Sequence, residues 1–225
     1  NSDTQADLFV AAGKIAAVGK APAGFSANRV IDATGLVVCP GLIDLSARLR
    51  EPGFEYKAPL ESELLAAAAG GVTSLACPPD TDPPLDEPGL VEMLKYRARL
   101  PGFAHVYPVG ALTVGLDGKR LTEMAELAEA GCIAFGQANT AVTDTQVLLR
   151  AMQYAATFGF PVWLQAQDPH LAKGGVAHDG EVAARLGLTG IPVVAETIAL
   201  ATLLHLARET GARLHVTRIS SAAGV

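Results

Sequence analysis

Apolar and polar positions along the chain fall into two regimes. Residues 8–19, LFVAAGKIAAVG, read as two short strands around a Gly13-Lys14 turn, and 28–32 and 36–39 add further strand on either side of Thr34-Gly35. From Gly41 onward the pattern alternates between periods of two and of 3.6 residues. Strands are predicted near 42–48, 72–77, 104–109, 132–136, 161–166 and 213–219. Helices are predicted near 60–69, 88–99, 121–130, 143–158 and 193–210, with a short one near 179–186. Leu90, Met93, Leu94 and Arg97 carry helical spacing, as do Val147, Leu148, Met152 and Ala155. Strand starts recur at roughly the length of a βαβ unit, about 30 residues. The last interval is longer because 167–192 reads as a loop with its own short helix.

Six strands alternating with helices fit either an open doubly wound sheet or three quarters of a (β/α)8 barrel. A dinucleotide-binding sheet should place a glycine-rich fingerprint between its first strand and first helix. That turn here is RLREPGFEYKAPLES, with no such pattern, and Lys173-Gly174-Gly175 alone reads as a flexible loop. The barrel is the better reading: an α/β chain divided into a small β unit over 1–39 and a partial barrel of about six units over 40–225.

Composition narrows the function classes. The chain has 225 residues, 50% of them hydrophobic and 18% charged, with a net charge of -6. This describes a folded chain with a sizeable core. Its acidity gives no reason to expect nucleic acid or an anionic membrane as partner. No run is long and apolar enough for a membrane span, and the start, NSDTQADLFV, has no basic region followed by an apolar one. A cytoplasmic protein is expected. Cys39, Cys77 and Cys132 form no CxxC pair and read as buried thiols. The chain opens on Asn rather than Met and ends directly after a motif, so it reads as a piece of a longer one.

The candidate chemistry centres on VCPGLIDLSARLREPG, residues 38–53. An apolar run leads into Asp44, Ser46, Arg48 and Arg50, which share one face if the strand continues. The stretch resembles the signature of the amidohydrolase superfamily, most closely that of the dihydroorotases. In those enzymes the strand ends in His-x-His, which holds zinc; Ser46 and Arg48 stand at those positions. The resemblance continues at later strand ends. ACPPDTDPPLD (76–86) resembles Met-Pro-Asn-Thr-x-Pro, with Asp80 in place of a substrate-holding asparagine. GCIAFGQAN (131–139) resembles a strand ending in Asp-Asp-Gly, with Gln137 at the metal-binding aspartate. WLQAQDPHL (163–171) resembles a His-Ala/Cys-Glu-Asp end, with Gln165 and Gln167 in place of histidine and glutamate. GLTGIPVVAE (187–196) is close to the family's own helix entry. HVTRISS (215–221) resembles His-x-x-His-Val-Ser, with Arg218 at the second histidine.

The resemblance implies a (β/α)8 TIM barrel of the amidohydrolase type, preceded by a small β-sandwich side domain. It also implies a ligand set of Ser46, Arg48, Gln137, Gln165 and Arg218. Zinc takes imidazole, thiolate or carboxylate, and arginine stays protonated with no lone pair to give. At roughly 5 Å and an effective dielectric of ~20, each arginine would repel a divalent cation by about 6–7 kcal/mol before screening. No metal or other cofactor is therefore expected, and without one there is no activated water. Arg48 and Arg218 are expected to give fixed positive charge to Asp44 and to carboxylates contributed by further strands. Arg50 matches the family arginine that pairs the substrate carboxylate, so Arg50 and Asp80 are the candidate residues of a vestigial substrate site; a barrel-mouth salt bridge is the plainer reading of Arg50.

The chain thus resembles the noncatalytic dihydroorotase homologues that assemble with aspartate carbamoyltransferase. That implies a structural subunit in pyrimidine biosynthesis, oligomeric with that enzyme. Two alternatives stand beside it: an active cyclic-amide hydrolase with an atypical site, and a sensor that keeps Arg50 for an anionic ligand. His105, His205 and the loop pair His170 and His178 read as structural or surface histidines, and His215 lies on the other face from Arg218. The carboxylates Asp80, Asp82, Asp86 and Glu87 read as a solvated proline-rich loop rather than a cation site. Ser220-Ser221 has no evident base partner.

Overall fold

In the computed structural model, which describes residues 5–225, the chain forms two compact units, Asn1–Pro40 and Gly41–Val225. The first contains an antiparallel hairpin of β1 (Leu8–Ala11) and β2 (Lys14–Val18). Ala12 and Gly13 turn it with φ of 49° and 72°, the left-handed pair that a two-residue hairpin loop with right-handed strand twist requires. Phe9 packs edge-on against Phe25, with centroids 5.3 Å apart. The strands expected at 28–32 and 36–39 do not form. Asp32 Oδ1 instead accepts the Thr34 N–H at 3.0 Å and closes a side-chain turn. Val30, Ile31, Val37 and Val38 stay exposed. The expected β-sandwich is not present among residues 5–40, because a sandwich needs two facing sheets and the hairpin supplies one small one.

The second unit is built of βα repeats. Its elements are β3 (Leu42–Asp44), α1 (Leu60–Ala69), β4 (Val72–Cys77), α2 (Pro88–Arg99), β5 (His105–Ala111), α3 (Met124–Ala130), β6 (Ala134–Gly136), α4 (Thr145–Phe158) and β7 (Pro161–Gln165). A small two-stranded excursion follows, β8 (Ala177–His178), α5 (Glu181–Leu186) and β9 (Gly190–Ile191). Then come α6 (Val193–Thr210) and β10 (Arg213–Thr217). The main sheet runs β3-β4-β5-β6-β7-β10, all parallel. Because neighbours follow chain order without a reversal, there is no topological switch point. The winding is that of a barrel rather than of a doubly wound sheet.

The two faces of the sheet pack differently. Helical side chains at i, i+3 and i+4 cover one face: Val91, Leu94 and Ala98 from α2, and Leu148, Ala151, Met152 and Ala155 from α4, all buried with Phe135 and Leu64. The opposite face carries a smaller cluster of Ala76, Val109 and Ala134 against Trp163. Small residues suit the inner face of a curled sheet, where strands converge. No helix among the described residues is long and apolar enough to cross a membrane.

Four strands are shorter than their apolar runs predict. β6 starts at Ala134 rather than 132, and β7 ends at Gln165 rather than 166. The C-terminal shortfalls of β3 and β10 lie at the site. The expected strand 42–48 stops at Asp44, whose Oδ1 accepts the Ser46 N–H at 2.8 Å and breaks the regular ladder, although the Ala47 N–H still reaches the Ala76 carbonyl of β4 at 2.9 Å. Ser46, Arg48 and Arg50 therefore do not share a face through strand alternation. The expected strand 213–219 stops at Thr217, because Arg218 adopts φ 56°.

Candidate functional site at the strand ends

The C-terminal ends of β3, β4, β6, β7 and β10 meet in one polar network, tied across the strands by hydrogen bonds between residues 32 to 91 positions apart in sequence. Arg48, just past β3, donates from Nε to Asp80 Oδ2 at 2.7 Å and from Nη2 to Asn139 Oδ1 at 3.0 Å. Arg218, just past β10, donates from Nη1 to the same Asn139 oxygen at 2.5 Å. Its Nη2 reaches the Ala138 carbonyl at 3.1 Å and Gln165 Oε1 at 2.8 Å. Gln165 Nε2 then donates to Gln167 Oε1 at 2.8 Å. One neutral amide oxygen thus sits between two guanidinium groups. At roughly 5 Å and an effective dielectric of ~20, two such charges repel by about 3 kcal/mol before screening. Partial burial, and then the charge of Arg48, lower the pKa of Arg218 from the usual arginine value, with Asp80 opposing. Arginine remains charged at neutral pH.

The other expected residues are placed differently. Gln137 is buried beneath the network, and its Oε1 accepts from both the backbone N–H and the hydroxyl of Thr113 at 3.0 Å. Ser46 is exposed, and its hydroxyl makes no hydrogen bond among the described residues. The expected pairing of the arginines with Asp44 does not occur: Asp44 holds its own turn, Asp80 takes Arg48, and Arg218 meets only neutral oxygens. Arg50 is half-buried at φ 64°, and its side chain makes no ion pair among the described residues. The crevice between Arg50, Phe54 and Asp80 measures about 10 Å³, less than a ligand needs. His215 is exposed and its ring lies tilted at 42° against that of Trp163, with centroids 5.0 Å apart.

A zinc ion does not fit this donor set. The positions offer two permanently charged guanidiniums, two amides already engaged through their oxygens and one serine, where zinc needs imidazole, thiolate or carboxylate. The Asp80–Glu87 loop is also less solvated than its composition suggests. Leu85 is buried, and Asp86 Oδ2 accepts the Gly115 N–H at 2.7 Å. Its carboxylates are therefore dispersed, and no group of three metal-binding side chains occurs among the described residues.

Two carboxylates unnoticed in the sequence frame the site. Glu51, next to Arg50, is buried; it pairs with Arg97 of α2 and accepts the Leu60 N–H at the start of α1 at 3.0 Å. Glu196 of α6 accepts from the amides and hydroxyls of both Ser220 and Ser221 at 2.5–3.0 Å, which accounts for that serine pair. Burial alone would raise the Glu196 pKa, but the two hydroxyls and two amides outweigh it and hold the carboxyl at about 2. Its folded pKa lies below the usual glutamate value, so its stabilising effect is complete above about 4.5 and fades as pH falls toward 2. Glu196→Gln should therefore lower stability at neutral pH, and the gap from wild type should close across that acid window. Denaturant titrations at stepped pH would show it; a gap constant with pH would contradict it.

Parallel strands wound in chain order, with polar residues gathered at their C-terminal ends, are the arrangement of part of a TIM barrel. An L-hydantoinase from Arthrobacter aurescens has this fold: it superposes with a TM-score of 0.77 over 98% of this chain and 51% of its own, at 24% identity. The family model described as dihydro-orotase-like matches residues 35–223. A dihydroorotase-like protein of Pseudomonas aeruginosa is 51% identical over 223 residues, 99% of this chain and 53% of that protein. A dihydroorotase of Syntrophotalea carbinolica is 43% identical over 223 residues, 99% of this chain and 52% of that protein. The chain belongs to the dihydroorotase-like family, and it spans about half the length of these curated relatives.

Proposed function

We propose that this chain is part of a noncatalytic dihydroorotase-like protein, a structural subunit for aspartate carbamoyltransferase in de novo pyrimidine biosynthesis. The observation that carries the noncatalytic reading is the pair Arg48 and Arg218 converging on Asn139 Oδ1 at the strand ends. Cyclic-amide hydrolysis needs a polarised carbonyl and an activated water. Two guanidiniums can polarise an oxygen, but they accept no proton and have no lone pair to hold a metal that would activate water, and Gln165 and Gln167 replace a histidine and a glutamate that could. The vestigial site follows the same logic. Asp80 is committed to Arg48, while the Arg50 side chain makes no ion pair among the described residues.

The partner rests on the resemblance of the strand-end motifs to the noncatalytic homologues. The second reading, an active dihydroorotase, is favoured by the relative of that name at 43% identity. One preparation of the full-length protein separates them. Co-migration with aspartate carbamoyltransferase on size exclusion, without zinc-dependent turnover, is the expected result. Turnover without co-migration would overturn the proposal.

A further inference from the structure

We propose that a cavity at the N-terminal end of the barrel strands binds a phosphate monoester carrying a planar ring, a ligand of the nucleoside monophosphate class. The cavity measures about 440 Å³ and is walled by Lys95, Arg99, Phe103, His105 and Tyr107, with Gly131 across from them. These residues come from the last turns of α2, the loop into β5, the start of β5 and the loop into β6. The volume falls in the usual range of small-molecule sites, roughly 300–1,000 Å³. His105 is the first residue of β5, so the cavity lies at the opposite end of the strands from the polar network. TIM barrels carry their catalytic groups at the C-terminal strand ends, so this is a site for binding without chemistry.

Charge and wall chemistry define the ligand. Lys95 and Arg99 are four residues apart on α2 and share one helix face, where like charges repel. No aspartate or glutamate lines the cavity. The ion pairs among the described residues are Arg48–Asp80 and Arg97–Glu51, so neither cation has an ion-pair partner. Both stand in a chain whose net charge is -6. Arg99 is exposed, and its guanidinium makes no hydrogen bond among the described residues. Lys95 is held in place: its Nζ donates to the Ala130 carbonyl at the end of α3 at 2.7 Å, which leaves two of its hydrogens for a ligand. Gly131 makes room for that ammonium, since a Cβ there would collide with Nζ. Two fixed positive charges match a phosphate dianion, and the Arg99 fork suits its oxygens. The rings of Phe103 and Tyr107 are left exposed in the wall, and a planar group would cover them.

The inference does not depend on the noncatalytic reading, because it uses the other end of the barrel. The test is calorimetric titration of the full-length protein with the 5′-monophosphates of adenosine, guanosine, cytidine and uridine. The free nucleosides and inorganic phosphate serve as partial probes. Saturable binding of at least one monophosphate is expected, about 10-fold or more tighter than its nucleoside or phosphate alone, and weakened about 10-fold or more in Arg99→Ala. Because Arg99 is exposed, that variant should keep the wild-type Tm without ligand. Arg208→Ala, which removes an exposed arginine from the last turn of α6, should bind as wild type does. Absence of saturable binding at millimolar concentrations would overturn the inference. So would an affinity unchanged in Arg99→Ala or equally reduced in Arg208→Ala, and so would inorganic phosphate or a nucleoside binding as tightly as the monophosphate.

Discussion

Replacing Phe135 by Ala is expected to destabilise the protein by about 3–5 kcal/mol, the range for a fully buried aromatic. Phe135 lies on β6, a three-residue strand near the middle of the sheet, with no solvent exposure and its ring 5.2 Å from that of Phe160. A Cβ built on Gly110 of the neighbouring β5 would sit 2.9 Å from the Phe135 ring, so the glycine leaves room for the aromatic. The cavity left by alanine has little chance to collapse, because neighbours on both sides are held by the sheet. A typical domain has about 5–15 kcal/mol in total, so the variant should approach the edge of folding. Phe135→Leu should cost under about 1.5 kcal/mol. Urea denaturation of wild type and both variants measures this; equal midpoints for alanine and leucine would contradict the packing account.

Glu51→Ala should cost about 2–3 kcal/mol, through a different mechanism. Glu51 is the buried tie between the segment after β3 and two helices. It stands in for the N-cap of α1, where Pro59 has no side-chain donor or acceptor, and its negative charge faces the positive end of that helix. Its ion-pair partner Arg97 is 48% exposed and stays solvated when the carboxylate is gone, which keeps the loss below that of a fully buried pair. Glu51→Gln should recover part of the loss by keeping the hydrogen bond to Leu60. If alanine and glutamine variants unfold at the same urea concentration as wild type, the tie has no energetic role.

The helices and the parallel strands were readable from periodicity because burial of one face imposes it. The spacing around Leu90 and Leu94 places α2 at 88–99, and the apolar run 193–210 places α6, as observed. Strand ends were less readable, since what stops β3 and β10 is local polar geometry: the Asp44 turn and the left-handed Arg218. Residues 28–39 misled for the opposite reason. Their β propensity is real, but a strand also needs a hydrogen-bonding neighbour, and residues 5–40 offer none there.

At the site, motif resemblance pointed to Arg48, Gln165 and Arg218, which do come together, and to Ser46, which stays outside the network. It gave no means of seeing that Asn139 bridges the arginines, or that Gln137 serves Thr113. A long-range hydrogen bond between side chains leaves no periodic trace. Glu196 left a faint one, a serine doublet with unspent donors at 220–221 and an acid at the head of α6. Glu51 left none.

The central claim is that the strand ends of this barrel do not hydrolyse a cyclic amide. It is tested most directly by the hydrolysis of dihydroorotate by the full-length protein, purified alone and assayed with added zinc. The predicted result is no turnover above a protein-free blank at any zinc concentration. Robust zinc-dependent turnover would contradict the account and mean that a metal is held by groups other than those at Ser46, Arg48, Gln137, Gln165 and Arg218.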